Sequence, residues 1–584
     1  MLPLIKNEHP RLYINTEKIN YLKNLITNDP FLSKLADALF KNADEMIQQS
    51  PTEFKIIGPR MLKNCQQILT RVTTLNIAFL LSDNKKYVER SKQELFTAAE
   101  YPHWNKDHFL DTAELCTAFG ISYDWLHHEL SENDRAIIKN ALINKGLEPG
   151  LNEQKNGWWI EHKYNWNQVG HGGLLIGALA LADEEPELCE KIIHNSINYL
   201  PIAFHTYSPD GGWKGGPEYW EYTTKYSVFI MDALKTALNN DFGLSKTAGL
   251  NTAGLFPIHA AGPTDLYFNF ADADPEHKSK PEYFWLGNEY HSEICINENH
   301  RLLQKKLKHN EPPTAFDIIW YQPYAENVKS LPKTALFKEV NAFFMRSKWN
   351  DPNAFFIGFK GGDNQADHAH LDLGSFVLDA MGERWAFDLG RDDYDLPGYW
   401  DFKEGGERWQ YFRLNNRSHN TLTINDDIQR AKAVAPIVKH SSSKEKSFAI
   451  ADLTKAYFPH TKSVLRGIAL IDGKTIVIQD EIVWSGKEKK LCWNLMTDAE
   501  ITLTGKEAIL KKAGKMLYAK ILSPIDVEFS CSSAERKPPE KQNADYQQLS
   551  IKFTEKLETT TLCVVLSSKL KERLDLISLQ DWNL

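Results

Sequence analysis

The sequence IALIDGKTIVI, at residues 468–478, predicts two short β-strands joined by a tight turn. Asp-Gly between two apolar runs is a strong hairpin signal, because both central residues of the favoured turn take a positive φ. Similar strand-like runs occur at 342–346, 354–359, 375–378 and 420–424. Since no helical period separates these runs, we expect residues 335–584 to form an antiparallel β-sandwich.

The first part of the chain has a helical period instead. At residues 110–126, LDTAELCTAFGISYDWL, apolar residues recur every three or four positions. Ser131, with Asp134 three positions later, predicts the start of the next helix through a capping box. Such helical hairpins repeat over residues 1–325, and they stack into a solenoid or close into a ring. The charged run at 304–313, which ends in two prolines, predicts the boundary, although it also fits a solvated loop.

The composition excludes several classes of protein. Of the 584 residues, 42% are hydrophobic and 25% are charged, which is typical of a globular chain and not of a disordered, collagen-like or coiled-coil one. The formal net charge of −9 argues against nucleic acid as a partner, because nucleic-acid binding needs a basic footprint. No stretch approaches 18 uncharged apolar residues, so we expect no membrane span. The oligomeric state stays open.

Two features of the sequence predict the compartment. The first residues, MLPLIK, lack the basic-then-apolar pattern of a secretory signal. The seven cysteines are odd in number and form no CxxC pair, which favours free thiols over a disulfide framework or a cysteine–zinc site. We therefore expect a cytoplasmic protein, or a periplasmic one if a leader has been removed.

The chain is rich in aromatic residues, with 16 Trp, 22 Tyr and 29 Phe. Sugar rings pack their C–H faces against such flat apolar surfaces. The composition therefore favours carbohydrate binding about as much as a large aromatic core.

Two segments of the helical part are candidates for a binding site. Residues 164–173, YNWNQVGHGG, place Asn, Gln and His before a helical run, where they can hydrogen-bond a carboxylate. The alternative is a polar helix cap whose His is already hydrogen-bonded. Residues 208–226, SPDGGWKGGPEYWEYTTKY, form a glycine-rich turn into a helix, with Tyr222 and Tyr226 on one face. The alternative there is an aromatic core at helical spacing.

A third candidate lies in the strand-rich part. Residues 367–372, DHAHLD, are followed by Asp388 and then by His419 within 415–420, NNRSHN. Two imidazoles and a carboxylate that converge from separate strands form a plausible zinc ligand set. The alternative is a hydrogen-bonded His/Asp network without metal.

Together these segments resemble the heparinase II/III family of polysaccharide lyases. The resemblance covers nearly the whole chain, because it also includes HPRLY at 9–13, DHAHLDLGSF at 367–376 and NRSHNTLTIN at 416–425. It implies an α+β multidomain fold, with an N-terminal α/α toroid over 1–325 and a C-terminal antiparallel β-sandwich over 335–584. It also implies a polysaccharide lyase, since members cleave uronate-containing polysaccharides such as heparan sulfate, heparin, alginate or chondroitin.

The resemblance implies roles for individual residues. Tyr226 resembles the catalytic tyrosine, with Tyr222 as the alternative if the helix register differs. His171 resembles the residue that faces the substrate carboxylate, and Asn167 is expected to assist it. His368 is similar to the first His of the family's HxH pair, which reaches the active site.

A metal and further substrate contacts also follow from the resemblance. His370, Asp388 and His419 look like the family's zinc ligands, and by analogy this zinc is structural. The remaining substrate-contact candidates are Trp166, Gln168, Trp213, Trp409 and Arg417. Core packing is the alternative for the tryptophans, and a structural salt bridge is the alternative for Arg417. One departure is Leu174, where the family has an acidic residue, so fine substrate preference stays open.

The HxH pair carries a prediction about its own backbone. In a regular strand over 368–372 both imidazoles would face the same side. A substrate-facing His368 beside a metal-binding His370 therefore predicts irregular backbone here. The prediction fails if both imidazoles bind one ion.

The reaction implied by the resemblance is β-elimination. A base removes the C5 proton of a uronate, and an acid protonates the oxygen leaving C4, which gives a 4,5-unsaturated uronate. Hydrogen bonds to the carboxylate stabilise the enolate-like charge. Tyr226 is the expected acid, and it also serves as base in a syn elimination if positive charge lowers its pKa from about 10. His368 is the expected base on the opposite face.

Two other functions stay open. A toroidal glycoside hydrolase acting on unsaturated or acidic oligosaccharides needs two carboxylates, and Asp210 and Glu218 are candidates. A non-catalytic protein that binds acidic glycans would yield no product. Among lyase substrates, heparin or heparan sulfate is expected first and alginate next.

Overall fold

The computed structural model describes residues 5–569 and 574–583. It contains two compact units. Unit 1 comprises Met1–Ser208, Glu221–Gly254 and Lys278–Val328, and unit 2 comprises Pro209–Trp220, Leu255–His277 and Lys329–Leu584. The chain passes from unit 1 to unit 2 for the last time between Val328 and Lys329, close to the boundary predicted near residues 325–335. Two short segments that precede this boundary nevertheless pack in unit 2, so the units are not contiguous in sequence.

The helices precede the strands in the chain. The helices are α1 Thr16–Asn28, α2 Pro30–Ile47, α3 Leu62–Ser82, α4 Lys86–Ala99, α5 Phe109–Trp125, α6 Glu132–Ala141, α7 Glu148–Asn156, α8 Asn165–Leu181, α9 Pro186–Phe204, α10 Gly216–Leu238, α11 Leu250–Ala253, α12 Leu255–Ala260, α13 Glu282–Glu289, α14 Glu293–Lys308 and α15 Ala315–Ile319. Within the described residues, no helix is both long enough and apolar enough to cross a bilayer.

Local sequence signals explain several helix starts. Asp29 caps α2 by accepting hydrogen bonds from the backbone N–H groups of Phe31 and Leu32, and Pro30 occupies the first helical position. The predicted capping box at Ser131 and Asp134 is confirmed, because each side chain accepts a hydrogen bond from the backbone N–H of the other residue.

Three buried helices of unit 1 run in the same direction. A Cβ atom on Gly120 of α5 would lie 2.9 Å from Gly177 Cα of α8, and one on Gly173 of α8 would lie 2.2 Å from Ala113 O of α5. Both sequence numbers increase together, so α5 and α8 are parallel. The contacts of α10 with α5, Tyr222 to Glu114 and Tyr226 to Thr117, follow the same order. Helices α5, α8 and the part of α10 from Glu221 onward are therefore parallel within unit 1.

The strands of unit 2 form antiparallel sheets. The strands are β1 Thr334–Phe337, β2 Ala342–Arg346, β3 Phe356–Lys360, β4 Gly362–Asp363, β5 Phe376–Ala380, β6 Glu383–Ala386, β7 Leu422–Ile424, β8 Val434–Ala435, β9 Ile437–Ser442, β10 Lys446–Asp452, β11 Thr461–Ile471, β12 Thr475–Trp484, β13 Lys490–Thr497, β14 Glu500–Thr504, β15 Glu507–Lys512, β16 Lys515–Ser523, β17 Phe529–Ser533, β18 Gln547–Thr554 and β19 Thr559–Ser567. Eight strands pair in the order β14-β15-β16-β19-β12-β11-β10-β9, and the smaller sheets are β1-β2-β3-β5-β6, β17-β18-β13-β7 and β4-β8.

The predicted hairpin at 468–478 is confirmed. Strands β11 and β12 pair in register with Ile471 opposite Thr475, and the turn residues Asp472 and Gly473 have φ angles of 51° and 64°. Apolar side chains from the sheets pack into one large core, which includes Trp385 and Trp493. Loops between the strands of unit 2 carry His368, His370, Asp388 and His419.

Candidate active site

Two phenols of α10 lie beside a buried carboxylate in unit 1. Tyr222 Oη donates a hydrogen bond to Glu114 Oε1 at 3.0 Å, and Gln66 Nε2 donates to the same oxygen at 3.3 Å. Tyr226 Oη lies 3.4 Å from Thr117 Oγ1. Burial and the charge of Glu114 raise the pKa of Tyr226 well above its ordinary value. This shift is opposite to the lowering that a base would need, so Tyr226 holds its proton and suits the role of a proton donor.

His171 of α8 is enclosed within unit 1. Its Nε2 donates to the carbonyl oxygen of Ile160 at 3.2 Å, so its Nδ1 accepts from Gln154 Nε2 at 3.1 Å. Its ring stacks on Tyr199 with centroids 5.5 Å apart. Burial lowers the pKa of His171 to about 3, so the ring is neutral. Such contacts are typical of a structural histidine, and the predicted role toward a substrate carboxylate stays a prediction.

The neighbours of His171 on α8 have different surroundings. Asn167 Nδ2 donates to the carbonyl oxygens of Ile160 and Tyr199, at 2.5 and 3.2 Å. Gln168 is fully buried, and neither its Oε1 nor its Nε2 has a hydrogen-bond partner among the described residues. Gln168 lies one helical turn before Gly172, whose Cβ would touch Tyr226 at 3.0 Å, so it shares the face of α8 that packs against α10.

An exposed aromatic pair lies at the start of α8. The ring of Trp166 is 4.4 Å from that of Trp158, and Trp158 is 60% exposed. Trp166 therefore belongs to a surface on which a sugar can stack. Sequence reasoning missed Trp158, although it lies only six residues before the polar segment at 164–173.

In unit 2, His368 is oriented by a buried carboxylate. Its Nδ1 donates to Asp272 Oδ2 at 2.9 Å. Its ring stacks on Tyr219 with centroids 3.8 Å apart and planes 16° apart. His368 has a φ of 57°, a left-handed conformation that is uncommon outside glycine and is often found at functional sites. The predicted irregular backbone at 368–372 is confirmed, since no strand includes these residues.

His370, Asp388 and His419 form the one group in the described residues with metal-ligand geometry. One ligand atom from each lies within 4.8 Å of the others, and all three side chains are buried. Asp388 Oδ1 accepts from the backbone N–H of Gly390 at 2.8 Å. Nδ1 of His370 and Nε2 of His419 have no hydrogen-bond partner among the described residues, whereas Asp388 Oδ2 lies 3.3 Å from Nδ1 of His419. The donor set therefore fits a zinc ion.

A single amide joins the loops that carry these ligands. Asn420 Nδ2 donates to the carbonyl oxygens of Phe376 and Phe387, at 2.6 and 2.9 Å, and its Oδ1 accepts from the backbone N–H of Met496. Phe387 and Asn420 directly precede and follow Asp388 and His419 in sequence. The positions of these two ligands are thus fixed by buried hydrogen bonds.

Asp272 links the candidate metal ligand His370 to His368. Its Oδ1 accepts from His370 Nε2 at 3.0 Å, from Tyr399 Oη at 2.6 Å and from Arg408 Nη2 at 3.1 Å. Burial alone would raise the pKa of this carboxyl, but Arg408 and the two imidazoles hold it well below its ordinary value. Sequence reasoning missed Asp272, because no local pattern marks an acid in a loop about a hundred residues before its partners.

Further aromatic residues surround His368. Tyr219 Oη and Tyr394 Oη are 2.6 Å apart, and the ring of Trp400, which is 45% exposed, lies 5.6 Å from His368. Burial raises the pKa of Tyr219 well above its ordinary value, so this phenol also keeps its proton. These three rings were not predicted, although Tyr219 belongs to the quoted glycine-rich segment.

Two of the predicted substrate-contact residues, Trp213 and Trp409, are buried in the structure. Trp213 and Trp409 are each only 1% exposed, so neither presents a ring face to a ligand. Trp409 packs with Leu371 and Ala431, and its Nε1 donates to Lys403 O at 2.9 Å. Their burial favours the alternative of core packing for both tryptophans.

Arg417, the last substrate-contact candidate, makes its contacts with other residues than the histidines described above. Arg417 Nη2 donates to Asp426 O at 2.8 Å, and Arg417 lines an open cavity of about 560 Å³ together with Lys490 and Arg536. Both carboxylates proposed for a hydrolase already have partners within the protein. Asp210 accepts from the backbone N–H groups at 212 and 338, and Glu218 pairs with Arg391 Nη1 at 3.1 Å.

Residues 336–569 match the family described as Heparinase II/III-like, C-terminal. No curated protein sequence matches the chain. Its structure is similar to a mutant of the heparan sulfate lyase HepC from Pedobacter heparinus, with 12% identity, 94% of this chain and 87% of that chain covered, and a TM-score of 0.62. It is also similar to heparinase III, with 12% identity, 96% of this chain and 92% of that chain covered, and a TM-score of 0.63. A third similar structure is the chondroitin AC lyase of Streptomyces coelicolor in complex with chondroitin sulphate. Here the identity is 11%, the coverage is 94% of this chain and 83% of that chain, and the TM-score is 0.51.

These similarities confirm the predicted fold class, an N-terminal α/α toroid followed by C-terminal antiparallel β-sheets. They extend over nearly the whole chain, which agrees with the extent of the sequence resemblance.

Proposed function

We propose that this chain, whose residues 336–569 are a heparinase II/III-like C-terminal domain, is a polysaccharide lyase that cleaves uronate-containing glycans by β-elimination. The solved structures similar to it are lyases of heparan sulfate, heparin and chondroitin, according to their names. This agreement between an independent family match and several related folds supports the reaction class.

The observation that carries the proposal is the hydrogen bond between His368 Nδ1 and the Asp272 carboxylate. Because the Asp272 carboxylate can only accept, the proton of a neutral His368 ring lies on Nδ1. Asp367 Oδ2 lies 3.8 Å from Nε2, which is beyond hydrogen-bond distance, so the lone pair on Nε2 is available to remove a proton. This is the arrangement by which a carboxylate prepares an imidazole to act as general base.

Nε2 of His368 takes the C5 proton, the C5–H electron pair becomes the C4–C5 double bond, and the C4–O bond breaks. The leaving oxygen takes a proton from a phenol. Tyr226 is our first candidate for this acid and Tyr222 the second, because burial keeps both protonated.

The uronate carboxylate needs hydrogen-bond donors, because its negative charge opposes proton loss at C5. Gln168 offers a buried amide with no partner among the described residues. We therefore propose Gln168 as a donor, and Asn167 and His171 stay weaker candidates because their N–H groups are already bonded. Preorganised donors of this kind contribute about 3–4 kcal/mol to transition-state stabilisation.

We propose heparin or heparan sulfate as the first substrate class and alginate as the next. The HepC and heparinase III similarities favour the sulfated glycans. The exposed rings of Trp158 and Trp400 suit sugar stacking near the two sets of polar groups.

We propose that His370, Asp388 and His419 hold a zinc ion. The unpartnered buried nitrogens of His370 and His419, together with the nearby carboxylate of Asp388, support this assignment. When bound, the ion would supply cross-linking of the three loops, and we give it no step in the elimination.

We further propose that the protein works in a reducing compartment, such as the cytoplasm. All seven cysteines are free, and Cys531 is exposed to solvent. An exposed thiol is prone to oxidation outside such a compartment.

The test is an assay of the purified protein on heparan sulfate, chondroitin sulfate and alginate. We expect ultraviolet absorbance from the conjugated product to rise together with loss of polymer size on at least one substrate. Reducing ends without absorbance would indicate a hydrolase, and binding without any product would indicate a glycan-binding protein. Either result overturns the proposal.

Variants on the active substrate locate the chemistry. His368→Gln is expected to lower kcat at least ~100-fold, since general bases contribute 10²–10⁴-fold. His440→Gln is the matched control, because this exposed histidine of β9 has no place in the site. Equal activity of the two variants would exclude His368 as the base.

A further inference from the structure

One carboxylate connects the histidine assigned as base to a histidine of the metal-ligand group. Asp272 Oδ2 accepts from His368 Nδ1 at 2.9 Å, and Asp272 Oδ1 accepts from His370 Nε2 at 3.0 Å. The side chain is fully buried. The preceding residue, Ala271, has a φ of 61°, a conformation that costs energy for a residue with a Cβ and is kept where surrounding structure demands it.

The carboxylate is held by two further donors. Tyr399 Oη donates to Oδ1 at 2.6 Å, and Arg408 Nη2 donates to the same oxygen at 3.1 Å. Arg408 also donates to the carbonyl oxygens of His368 and Ala369, at 3.2 and 2.9 Å. The backbone of the HxH segment and the carboxylate are therefore fixed relative to one another.

These contacts dictate the tautomer of each neutral imidazole. A carboxylate surrounded by four donors only accepts, so each ring must present an N–H to it. His368 is then protonated on Nδ1 and has its lone pair on Nε2. His370 is protonated on Nε2 and has its lone pair on Nδ1, a buried atom with no hydrogen-bond partner among the described residues.

We propose that Asp272 is a positioning residue that sets the tautomers of both histidines and so couples metal binding at His370 to the base function of His368. The proposal rests on the proposed lyase activity for its catalytic half only. A metal on Nδ1 of His370 would leave Nε2 as the only protonated nitrogen of that ring. Metal binding would thereby stabilise the same arrangement of Asp272 that orients His368.

The decisive variant is Asp272→Asn. It keeps the shape of the side chain but replaces one acceptor oxygen by an N–H donor, which cannot serve an imidazole N–H. We expect zinc affinity, measured by competition with a chelator, to fall ~10–100-fold. At saturating zinc we expect kcat to fall at least ~100-fold with little change in KM. In comparable carboxylate–histidine pairs, loss of the carboxylate leaves the base in the wrong tautomer and lowers kcat strongly.

A double-variant cycle separates positioning from a structural role. In the His368→Ala background, Asp272→Asn should lower zinc affinity as before but leave the residual kcat unchanged, because the base on which it acts is gone. Equal kcat losses in both backgrounds would overturn the catalytic half of the proposal. Tyr399→Phe is the matched control, since it removes one donor to Oδ1 and leaves both imidazole contacts.

The tautomer can also be observed directly in the wild-type protein, without any substitution at Asp272. ¹⁵N-histidine NMR of the zinc-loaded protein should show His368 protonated on Nδ1 and not on Nε2, with assignment by the His368→Gln spectrum. The opposite tautomer would overturn the proposal. If the wild type proves inactive on every glycan, the proposed function fails, whereas the zinc affinity and the tautomer still decide the role of Asp272.

Discussion

Gln168 is a fully buried polar residue on α8 of unit 1. Its amide has no partner among the described residues, and an unsatisfied buried amide costs about 1–3 kcal/mol. Polar groups kept in such a state are typical of binding sites, where a ligand supplies the missing contacts.

We predict that Gln168→Leu stabilises the protein and impairs its activity. Removing the unpartnered amide should raise the free energy of unfolding by ~1 kcal/mol or more, measured by urea denaturation. At the same time kcat/KM on the active glycan should fall at least ~10-fold, because a carboxylate donor is lost.

Gln154→Leu is the matched control for this prediction. Its amide donates to His171 Nδ1 and to Ser196 Oγ, both at 3.1 Å, so its loss should destabilise the protein. Destabilisation by Gln168→Leu as large as by Gln154→Leu would contradict our account of Gln168.

His171 provides a prediction about pH. Its pKa in the folded state is about 3, against an ordinary value of 6.5, because burial disfavours the charged ring. Between these values the unfolded chain binds more protons, so stability rises with pH, by at most about 1.4 kcal/mol per pH unit for one group. Acidification from pH 6.5 toward pH 3 should therefore destabilise the protein.

His171→Gln should reduce this slope, as measured by urea denaturation at several pH values. The variant will have lower stability at pH 7, since it loses ring contacts, but its stability should fall less steeply on acidification. An unchanged slope would show that His171 is not the buried neutral histidine described above.

At the scale of elements, the close approach of α5 and α8 depends on glycine. A Cβ atom at Gly173 would lie 2.2 Å from the backbone oxygen of Ala113. At Gly177, on the same helix, the nearest atoms are side-chain carbons of Leu147 and Leu142, at 3.1 and 3.2 Å. A backbone oxygen cannot move without moving its helix, whereas leucine side chains can adjust.

We predict that Gly173→Ala lowers the free energy of unfolding by ~3 kcal/mol or more, and that Gly177→Ala changes it by less than ~1 kcal/mol. In the second variant the gain in helix propensity offsets the crowding. Thermal unfolding followed by circular dichroism compares the two. Similar midpoints for both variants would contradict the close helix contact.

At the scale of the whole chain, the metal-ligand group joins distant segments. Its three members span from His370 to His419, and Asp272 is a further hundred residues away in sequence. A ligand that binds only the folded state adds stability in proportion to the logarithm of its concentration.

We predict that zinc raises the unfolding midpoint and that a chelator lowers it. At a free zinc concentration one hundred times the Kd, the stabilisation should be about 2.7 kcal/mol. His419→Ala should abolish this response, while His440→Gln should retain it. A wild-type midpoint that zinc does not change would exclude the site.

Much of the fold was predictable because its signals are local. The Asp472–Gly473 turn, the Ser131 capping box and the change from a helical to a strand period each act over a few residues. Backbone preferences and side-chain periodicity decide such features before any tertiary contact forms. The metal-ligand candidates were found for a related reason, since their residue types limit the chemistry available to them.

Only the tertiary structure decided which side chains meet. Asp272 joins His368 and His370, Tyr219 covers His368, and both nitrogens of His171 are bonded, none of which any local period encodes. The burial of Trp213 and Trp409 was equally undecided, because a tryptophan that packs in a core and one that binds sugar have the same sequence signature. Burial and partnership depend on segments far apart in the chain, and only the folded arrangement brings those segments together.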